Sequence, residues 1–395
     1  MLLGGIRYLL PVIKAAHEQG YHVITADYLP DNIAHKYSDE YVNVSIVDKD
    51  AVLKVAQEKQ IDGIMSFGVD PGVVSAAYVA EKMGLPFQCS YEAACILQDK
   101  SRFRQFLSEH GLNCPKAKGY DSVEEAVADV GYFTWPIIVK PVDSAGSKGV
   151  TEVFQKDDLR QAVEKAFASS LGKHIIIEEY LLAEGKPSGS ESFFVNGELC
   201  YNAYYDQLFE LNSPNPFVPM VEQWPSGKDK TVLDDVGQQL QQLGKLLCFG
   251  TGLFNVEWRV SNGKVYLMEV SPRAGGNRLA EILNYATDID IIKAETLKSI
   301  GADCGEVHEP NYNGHYAIYN LHSNRRGRFK KLIIDPAFEK QYLVEKEVRV
   351  EVDDIVEPFV GANTSLGTLF LKADTRREMD AVLMNIERHI NIVLE

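Results

Sequence analysis

The chain has 395 residues, of which 45% are apolar and 24% charged, a composition typical of globular proteins. This length predicts two or three domains, because it exceeds what one core supports. The net charge of −16 argues against nucleic acid or an anionic membrane as the main partner. No apolar run approaches the roughly 20 residues that span a bilayer. The six cysteines have no CxxC spacing, which favours reduced thiols over disulfides or zinc. No signal peptide is evident, so we expect a cytoplasmic protein.

The first 95 residues alternate short apolar runs with helical patterns. Residues 21–26 and 61–67 have the pattern of strands, and residues 8–19 have helical spacing. This alternation predicts a parallel sheet covered by helices. The turn at Gly4-Gly5 lacks the G-x-G-x-x-G pattern, so we infer no dinucleotide site. The strand before this turn is very short, which leaves open that a few residues precede it.

Basic side chains mark the next two segments. In the helix predicted over residues 98–111, Lys100 and Arg104 lie four apart and share one face. Taken alone, this pattern favours a solvated basic surface. Residues 136–140 have the pattern of a strand that ends in Lys140, before a proline.

The loop after this strand is rich in small residues. Its candidate anion-binding residues are Ser144, Gly146, Ser147, Lys148 and Gly149. Glycines keep the backbone flexible, and small side chains let N–H groups approach an anion. The spacing is not that of a P-loop, and most loops of this kind are connectors. A lysine at the strand end just before the loop makes the pattern more specific.

The middle of the chain gives mixed signals. Residues 174–180 predict a strand that turns polar at Glu178-Glu179. Residues 189–224 are rich in aromatic residues and proline, and we predict an irregular segment that is a binding loop or a well-packed cover. Residues 229–249 have the pattern of an amphipathic helix.

Two carboxylates stand out in the strands predicted around residues 253–270. Glu257 and Glu269 each interrupt an apolar run. A buried carboxylate is costly unless a cation meets it, and a shared Mg²⁺ with oxygen ligands would serve both. Two solvent-facing glutamates on an ordinary hairpin are the alternative, and this alternative is favoured by the segment alone.

The hairpin turn decides whether the two carboxylates share a face. A three-residue loop, Ser261-Asn262-Gly263, would place both on one face, whereas a two-residue Asn-Gly loop would separate them. We therefore predict the three-residue loop.

The rest of the chain is less informative. The loop SPRAGGN carries Arg273 and leads to helices over residues 279–285 and 288–299. Strands near 315–321, 346–352 and 365–372 and a helix from 374 to about 389 predict a third unit, which we interpret as a structural cap.

The order of these motifs resembles the ATP-grasp superfamily. The resemblance extends over roughly residues 1–395 and is nearest to single-unit relatives of biotin carboxylase, the carbamoyl-phosphate synthase large chain, glycinamide ribonucleotide synthetase and L-amino-acid ligase. It implies an α/β fold with an N-terminal parallel-sheet pre-ATP-grasp domain (1–95), an ATP-grasp domain (96–305) with a small lid subdomain at about 115–182, and an α+β C-terminal domain (306–395).

The resemblance also implies roles for individual residues. Lys100 and Lys140 would contact ATP phosphates, and Lys140 would act in catalysis; loop 143–149 would be the lid. Glu257 and Glu269 would hold Mg²⁺ (or Mn²⁺), and Arg273 would stabilise the transferring phosphate. Glu178 would meet the adenine amino group, the backbone of Glu179 and Leu181 would meet the ring edge, and Tyr180 belongs to the same cofactor-binding strand end.

Two positions depart from the family pattern. Ser271 stands where the family usually has Asn or Ala, which puts help to the metal from that position in doubt. The ribose-binding glutamate could be Glu184 or Glu191, because the alignment there is ambiguous. We further expect Arg273 and the Gly275-Gly276-Asn277 loop to grip a substrate carboxylate.

The resulting expectation is an ATP-dependent carboxylate–amine ligase, an enzyme that forms C–N bonds through an acyl phosphate and releases ADP and phosphate; amino-acid ligation is one form. One alternative is a carboxyphosphate-forming enzyme that uses bicarbonate, and another is a non-catalytic ATP-binding protein. A nicotinamide-dependent oxidoreductase is disfavoured, since the glycine fingerprint is missing. We expect small-molecule substrates and, as the commonest assembly, a homodimer.

Overall fold

The chain folds as a mixed α/β protein, as predicted. The computed structural model describes residues 1–143 and 149–395. Within these residues, twelve α-helices accompany four sheets. None of the helices described combines the length and apolar character needed to cross a bilayer.

The N-terminal region forms the predicted parallel sheet. Its strands are β1 (Leu2–Leu3), β2 (Ile24–Asp27), β3 (Glu40–Asn43) and β4 (Met65–Ser66), in the order β3-β2-β1-β4. Three helices accompany them: α1 (Leu10–Glu18), α2 (Lys49–Glu58) and α3 (Val73–Met83). The turns after β1 and β4 leave the same edge of this sheet, because parallel strands share their carboxyl ends.

Two helices then connect this sheet to the rest of the chain, α4 (Tyr91–Gln98) and α5 (Lys100–Glu109). The Asp99 carboxylate starts α5 by accepting hydrogen bonds from the N–H groups of Ser101 and Arg102. This cap sets Lys100 in the first turn.

A small antiparallel sheet follows. It contains β5 (Ala117–Tyr120), β6 (Ile137–Pro141), β7 (Thr151–Val153) and β8 (Ile175–Glu179), in the order β5-β8-β6-β7. Helices α6 (Val123–Ala128) and α7 (Leu159–Ser169) pack on it. The predicted cap of α6 is confirmed, since the Ser122 hydroxyl accepts from the Glu125 N–H.

The large sheet begins in the segment that we predicted to be irregular, and that prediction is wrong. Residues 189–224 supply β9 (Ser188–Val195), β10 (Glu198–Phe209) and β11 (Pro219–Trp224). The overlooked signal is Asn196-Gly197, where both residues have positive φ, as a tight hairpin turn requires. The aromatic side chains are those of buried strands.

The remaining elements complete this sheet and cover it. They are α8 (Lys230–Leu246), β12 (Gly252–Ser261), β13 (Lys264–Ser271), α9 (Leu279–Ala286), α10 (Ile291–Lys298), β14 (His315–Leu321), β15 (Gly327–Ile334), α11 (Pro336–Tyr342), β16 (Leu343–Val348), β17 (Ile355–Val356), β18 (Gly367–Ala373), α12 (Arg376–Met384) and β19 (Ile390–Leu394). Short 3-10 helices lie at Arg7–Leu9, Ile33–Lys36, Asp70–Gly72, Val130–Tyr132, Lys156–Asp158, Ala362–Thr364 and Ile386–Arg388.

The antiparallel order of the large sheet is β13-β12-β9-β10-β11-β14-β18-β16, and the described strands β17-β15-β19 form a separate small sheet. The sequence analysis did not predict β15, β17 or β19. A shared apolar core joins α1, α9 and α10 to the large sheet through residues such as Phe193, Ile318 and Phe370. The N-terminal region is thereby held against the large sheet. The turn after β4 meets the loop after β13, where the Gly68 N–H donates to the Ala274 carbonyl, and we call this junction the cleft.

Candidate active site

Glu257 and Glu269 lie directly opposite each other on β12 and β13. The predicted three-residue loop is wrong: Ser261 pairs with Lys264, and only Asn262 and Gly263 form the turn, both with positive φ. A β-bulge between Glu257 and the next residue shifts the register by one. The bulge reverses the effect of the shorter loop, so the two carboxylates do share one face.

This carboxylate pair has the electrostatics of a cation site. Glu257 is exposed to solvent, but the protein atoms packed around its carboxyl group reduce its hydration and raise its pKa to about 7, and the Glu269 charge adds to the effect. The Lys100 ammonium lies 3.7 Å from Glu269 Oε2. Within residues 1–143 and 149–395, no third His, Cys, Asp or Glu joins the pair. Two carboxylates with open coordination positions fit Mg²⁺ shared with substrate phosphates.

A buried ionic cluster lies further along α5. Glu178 is fully buried, with Lys140 Nζ 2.6 Å from Oε2 and Arg104 Nε 3.0 Å from Oε1. Burial would raise the pKa of Glu178, but the two cations outweigh it and hold it at about 2. The prediction that Glu178 meets the adenine amino group therefore requires one of these contacts to be exchanged.

The strand end after Glu178 is held mainly by its backbone. The Tyr180 N–H donates to Pro136 O at 2.9 Å, and the Leu181 carbonyl accepts from Arg259 Nη1 at 2.9 Å. The Glu179 carboxylate accepts from the Thr134 N–H at 3.1 Å. Because the Leu181 carbonyl has a partner, an adenine contact from that residue would come from its N–H.

The two candidates for the ribose differ in their surroundings. Glu184 is exposed, and its carboxylate accepts from the Gly263 N–H at the hairpin turn. Glu191 is completely buried and accepts from the Gly275 N–H at 3.0 Å and from Asn255 Nδ2 at 2.7 Å. These contacts favour Glu184 for an exposed ligand and give Glu191 a structural role.

Most of the predicted lid loop lies outside the described residues, namely Ser144, Gly146, Ser147 and Lys148. Gly149 is described and has a φ of 75°. A Cβ there would lie 2.6 Å from Ser169 Cβ, so both the backbone conformation and the space require glycine.

Arg273 is anchored to the N-terminal sheet edge. Its Nε lies 2.7 Å from Asp70 Oδ1, and Nη2 lies 2.5 Å from the same oxygen. The Gly68 N–H donates to the Ala274 carbonyl at 3.2 Å. Ser271 is engaged as well, because its hydroxyl donates to Asp70 at 3.0 Å. The N-terminal region therefore fixes the loop that follows the carboxylate pair.

The contacts of the glycine loop bear on one expectation. We expected Arg273 and the Gly275-Gly276-Asn277 loop to grip a substrate carboxylate. The Gly275 N–H instead donates to Glu191, and Asn277 Nδ2 donates to Glu222 Oε2 at 2.8 Å. Two buried carboxylates that need donors take these groups.

Two further residues reach this cleft: Glu222, from the segment 189–224 for which a binding loop was one alternative, and Tyr8, to which the sequence analysis assigned no role. Glu222 is 3% exposed, and burial followed by the Glu257 charge raises its pKa to about 8 despite the hydrogen bond from Asn277. Tyr8 contacts the same loop, since a Cβ at Gly276 would lie 3.4 Å from its ring. Only Glu222 had a usable signal, as an acid within an apolar strand pattern.

Comparisons with known proteins agree with this architecture. A model of the ATP-grasp domain matches residues 133–281. The carbamoyl phosphate synthase large chain of Clostridium beijerinckii is 22% identical over 75% of this chain, which spans only 27% of that relative. Two solved structures match the whole chain over 98% of their own length. They are the L-amino acid ligase of Bacillus licheniformis (TM-score 0.81, 19% identity) and the phosphoribosylglycinamide synthetase of Anaerococcus prevotii (TM-score 0.79, 20% identity).

At these identities the solved structures establish the fold alone. The domain match covers the small sheet from residue 133, the large-sheet strands β9 to β13 and the glycine loop. The paired carboxylates lie within that match, and the order of the motifs is the one that suggested the family. Residues 133–281 therefore match the ATP-grasp domain, and the whole chain has the fold of the two solved structures named above.

Proposed function

We propose that this chain is an ATP- and Mg²⁺-dependent carboxylate–amine ligase. The observation that carries the proposal is the pair Glu257 and Glu269, opposed on one face with Lys100 beside them. Bound there, Mg²⁺ (or Mn²⁺) would neutralise polyphosphate charge. The division into domains 1–95, 96–305 and 306–395 is part of this proposal, with the sheet β5-β8-β6-β7 as the lid.

The first step forms an acyl phosphate. A substrate carboxylate oxygen forms a bond to the γ-phosphorus, the bond from that phosphorus to the β–γ bridging oxygen breaks, and ADP leaves with the electron pair. Lys100 and Lys140 stabilise the negative charge as it shifts to ADP. Arg273, held in place by Asp70, stabilises the transferring phosphoryl group. A lid over the phosphates excludes water, which would hydrolyse the acyl phosphate.

The second step consumes the acyl phosphate. The amine nitrogen forms a bond to the carbonyl carbon, the carbon–oxygen bond to phosphate breaks, and phosphate leaves. The proton lost by the amine goes to the Glu222 carboxylate. A pKa of about 8 suits this role, because a general base works best when its pKa lies near the operating pH.

The test is release of ADP and phosphate from ATP and Mg²⁺ with a panel of carboxylates crossed with amines, bicarbonate included. The double variant Glu257→Ala/Glu269→Ala is the blank, and Glu198→Ala, on the exposed start of β10, is the matched control. Release that needs both substrates and disappears only in the blank supports the ligase. AMP and pyrophosphate would refute the acyl-phosphate route.

Bicarbonate-dependent ADP release without another acid would favour the second candidate, a carboxyphosphate-forming enzyme. The similarity of three quarters of this chain to a carbamoyl phosphate synthase large chain is the observation that keeps it under test. ATP binding without turnover for any pair would favour a non-catalytic protein.

A further inference from the structure

The turn that begins α9 is left-handed at two residues that are not glycine. Asn277 has a φ of 52° and Arg278 a φ of 65°, whereas Gly275 and Gly276, which could adopt this conformation freely, do not. Asparagine tolerates positive φ, but arginine adopts it only at a cost in free energy. A conformation of this kind persists where the surroundings fix it. The side chain of Arg278 must therefore have contacts that offset the cost.

The guanidinium of Arg278 is almost fully engaged. It is 8% exposed and forms a two-bond pair with Glu281, from Nε to Oε1 at 3.1 Å and from Nη2 to Oε2 at 2.8 Å. Nη1 donates to the Thr368 hydroxyl at 3.1 Å, and Nη2 also donates to Glu345. The guanidinium carbon lies 4.3 Å from the centre of the Phe370 ring. These four hydrogen bonds use four of the five N–H donors, which leaves little for a substrate.

Three of these partners belong to the C-terminal region. Glu345 lies on β16, and Thr368 and Phe370 lie on β18. Thr368 is 1% exposed, and Glu345 is itself held by the Tyr285 hydroxyl at 2.8 Å. The Glu345 and Thr368 contacts join residues that are 67 and 90 positions apart in the chain. Arg278 therefore attaches the start of α9 to two strands of the C-terminal region.

The residue before Arg278 contacts the proposed base. Asn277 Nδ2 donates to Glu222 Oε2 at 2.8 Å, and Glu222 is the group to which we assign the proton of the amine. A general base must be correctly placed before its pKa matters. Asn277 lies between two fixed points, Arg278 and Gly275, whose N–H donates to Glu191 at 3.0 Å. Releasing Arg278 would free Asn277 on one side and loosen its contact with Glu222.

We propose that Arg278 is a positioning residue of the proposed ligase, through which the C-terminal region keeps the Asn277 amide on Glu222 while that carboxylate takes the proton of the amine. This inference rests on the proposed function. It gives the C-terminal region a part in the second step of the reaction, in addition to covering the sheet. Formation of the acyl phosphate should not depend on Arg278, because Arg273 has its own anchor in Asp70.

Hydroxylamine separates the two steps. Its nitrogen is unprotonated at neutral pH and strongly nucleophilic, so it bonds to the carbonyl carbon of an acyl phosphate and displaces phosphate with little help from a general base. The experiment compares hydroxamate formation with amide formation, using the carboxylate and the amine that give the fastest ADP release in the panel. For Arg278→Gln we expect kcat for amide formation to fall roughly 10- to 100-fold, as for a misplaced catalytic group. Hydroxamate formation and the KM for ATP should stay unchanged.

Two further variants test whether Arg278 acts through Asn277. Asn277→Ala should give the same selective loss, and the double variant Asn277→Ala/Arg278→Gln should lose no more than Asn277→Ala alone. Thr368→Val removes one acceptor and keeps the shape, so it should show a smaller loss of the same kind even if Arg278→Gln does not fold. Arg326→Gln is the matched control, since Arg326 pairs with Glu357 at the exposed surface, and it should behave as wild type.

The outcomes distinguish this inference from the ligase itself. A loss confined to amide formation, with no further loss in the double variant, supports the positioning role. Equal losses of amide and hydroxamate formation, additive losses in the double variant, or unchanged amide formation in both Arg278→Gln and Thr368→Val would overturn that role and keep the ligase. A wild-type chain that releases no ADP with any pair, hydroxylamine included, would overturn both.

Discussion

Replacing Arg104 by Met should destabilise the protein strongly, although the residue lies on a surface-type helix pattern. Arg104 is 3% exposed. Its guanidinium lies 3.0 Å from the buried Glu178, and it donates to the Met268 carbonyl at 2.8 Å. Methionine keeps much of the volume but removes the charge and the donors. Glu178 would then have Lys140 as its remaining cation.

The magnitude follows from Glu178. A folded-state pKa of about 2, against the ordinary 4.5, corresponds to about 3 kcal/mol of stabilisation of the charged form. The Arg104 charge makes the largest single favourable contribution, and its loss also leaves the Met268 carbonyl without this donor. Breaking a buried ion pair on one side typically costs about 3–5 kcal/mol, and we expect the free energy of unfolding to fall by that amount.

The pH dependence gives a second check. Because the folded-state pKa of Glu178 lies below the unfolded one, its stabilisation is complete above about pH 4.5 and is lost as the pH falls towards 2. The difference in unfolding free energy between wild type and Arg104→Met should therefore be largest at neutral pH and smaller near pH 3. Adding Glu178→Gln to Arg104→Met should recover part of the loss.

Urea unfolding followed by circular dichroism, at several pH values, measures these differences. Arg102→Met is the matched control, since Arg102 lies on the same helix but pairs with Glu92 at the exposed surface; it should cost less than about 1 kcal/mol. Equal losses for the two variants, or a loss for Arg104→Met that does not change with pH, would refute the buried ion-pair reasoning.

Three further outcomes are expected. Glu269→Gln should lower the pKa of Glu257, because it removes the like charge. It should also reduce ADP formation by roughly 100-fold or more. A Mg²⁺ titration of ADP formation checks the second effect, and an unchanged Mg²⁺ requirement would contradict it. Asp70→Asn should leave Arg273 without its anionic partner and lower kcat more than the KM for ATP, as steady-state kinetics would reveal; a loss confined to KM would contradict a positioning role. The folded-state pKa of Glu222, about 8, exceeds its ordinary value of 4.5. Its contribution to stability is therefore complete below about pH 4.5 and is lost as the pH rises through 8. The free energy of unfolding should fall by about 3–5 kcal/mol over this range. Melting temperatures from pH 5 to 9 should therefore fall less steeply in Glu222→Gln, and identical slopes would refute this assignment.

The carboxylate hairpin illustrates what the sequence could predict and what it could not. The two acids in apolar runs indicated a shared face, and the structure has them opposed. The predicted three-residue loop was wrong, because Asn262-Gly263 forms a two-residue turn and a β-bulge places the two carboxylates on one face. A bulge depends on how one strand packs against its neighbours, and the alternating pattern of a single strand contains no signal for it.

Residues that converge from distant parts of the chain were hardest to predict. Lys100, Lys140 and Glu178 follow a recognisable order along the sequence. Asp70 and Tyr8 gave no signal, because they reach the cleft only when the N-terminal sheet edge packs against the glycine loop. Local sequence patterns predict secondary structure, whereas these contacts form only through tertiary packing.

The carboxylates of the cleft, of which Glu191 and Glu222 are buried and Glu257 is exposed, differ in how much of their hydrogen-bonding capacity the protein itself uses. Glu191 accepts from a backbone N–H and from Asn255, which leaves little for a ligand. Glu222 accepts from one amide, and burial still raises its pKa to about 8. Glu257, among the described residues, has no hydrogen-bond donor recorded and faces another carboxylate. A carboxylate can accept about four hydrogen bonds, so unused capacity increases from Glu191 through Glu222 to Glu257. That order matches the roles proposed for them: Glu191 fixes the glycine loop, Glu222 takes the proton of the amine, and Glu257 holds the metal ion. A binding site keeps unsatisfied polar groups at the positions where the ligand will supply the hydrogen-bond or charge partner.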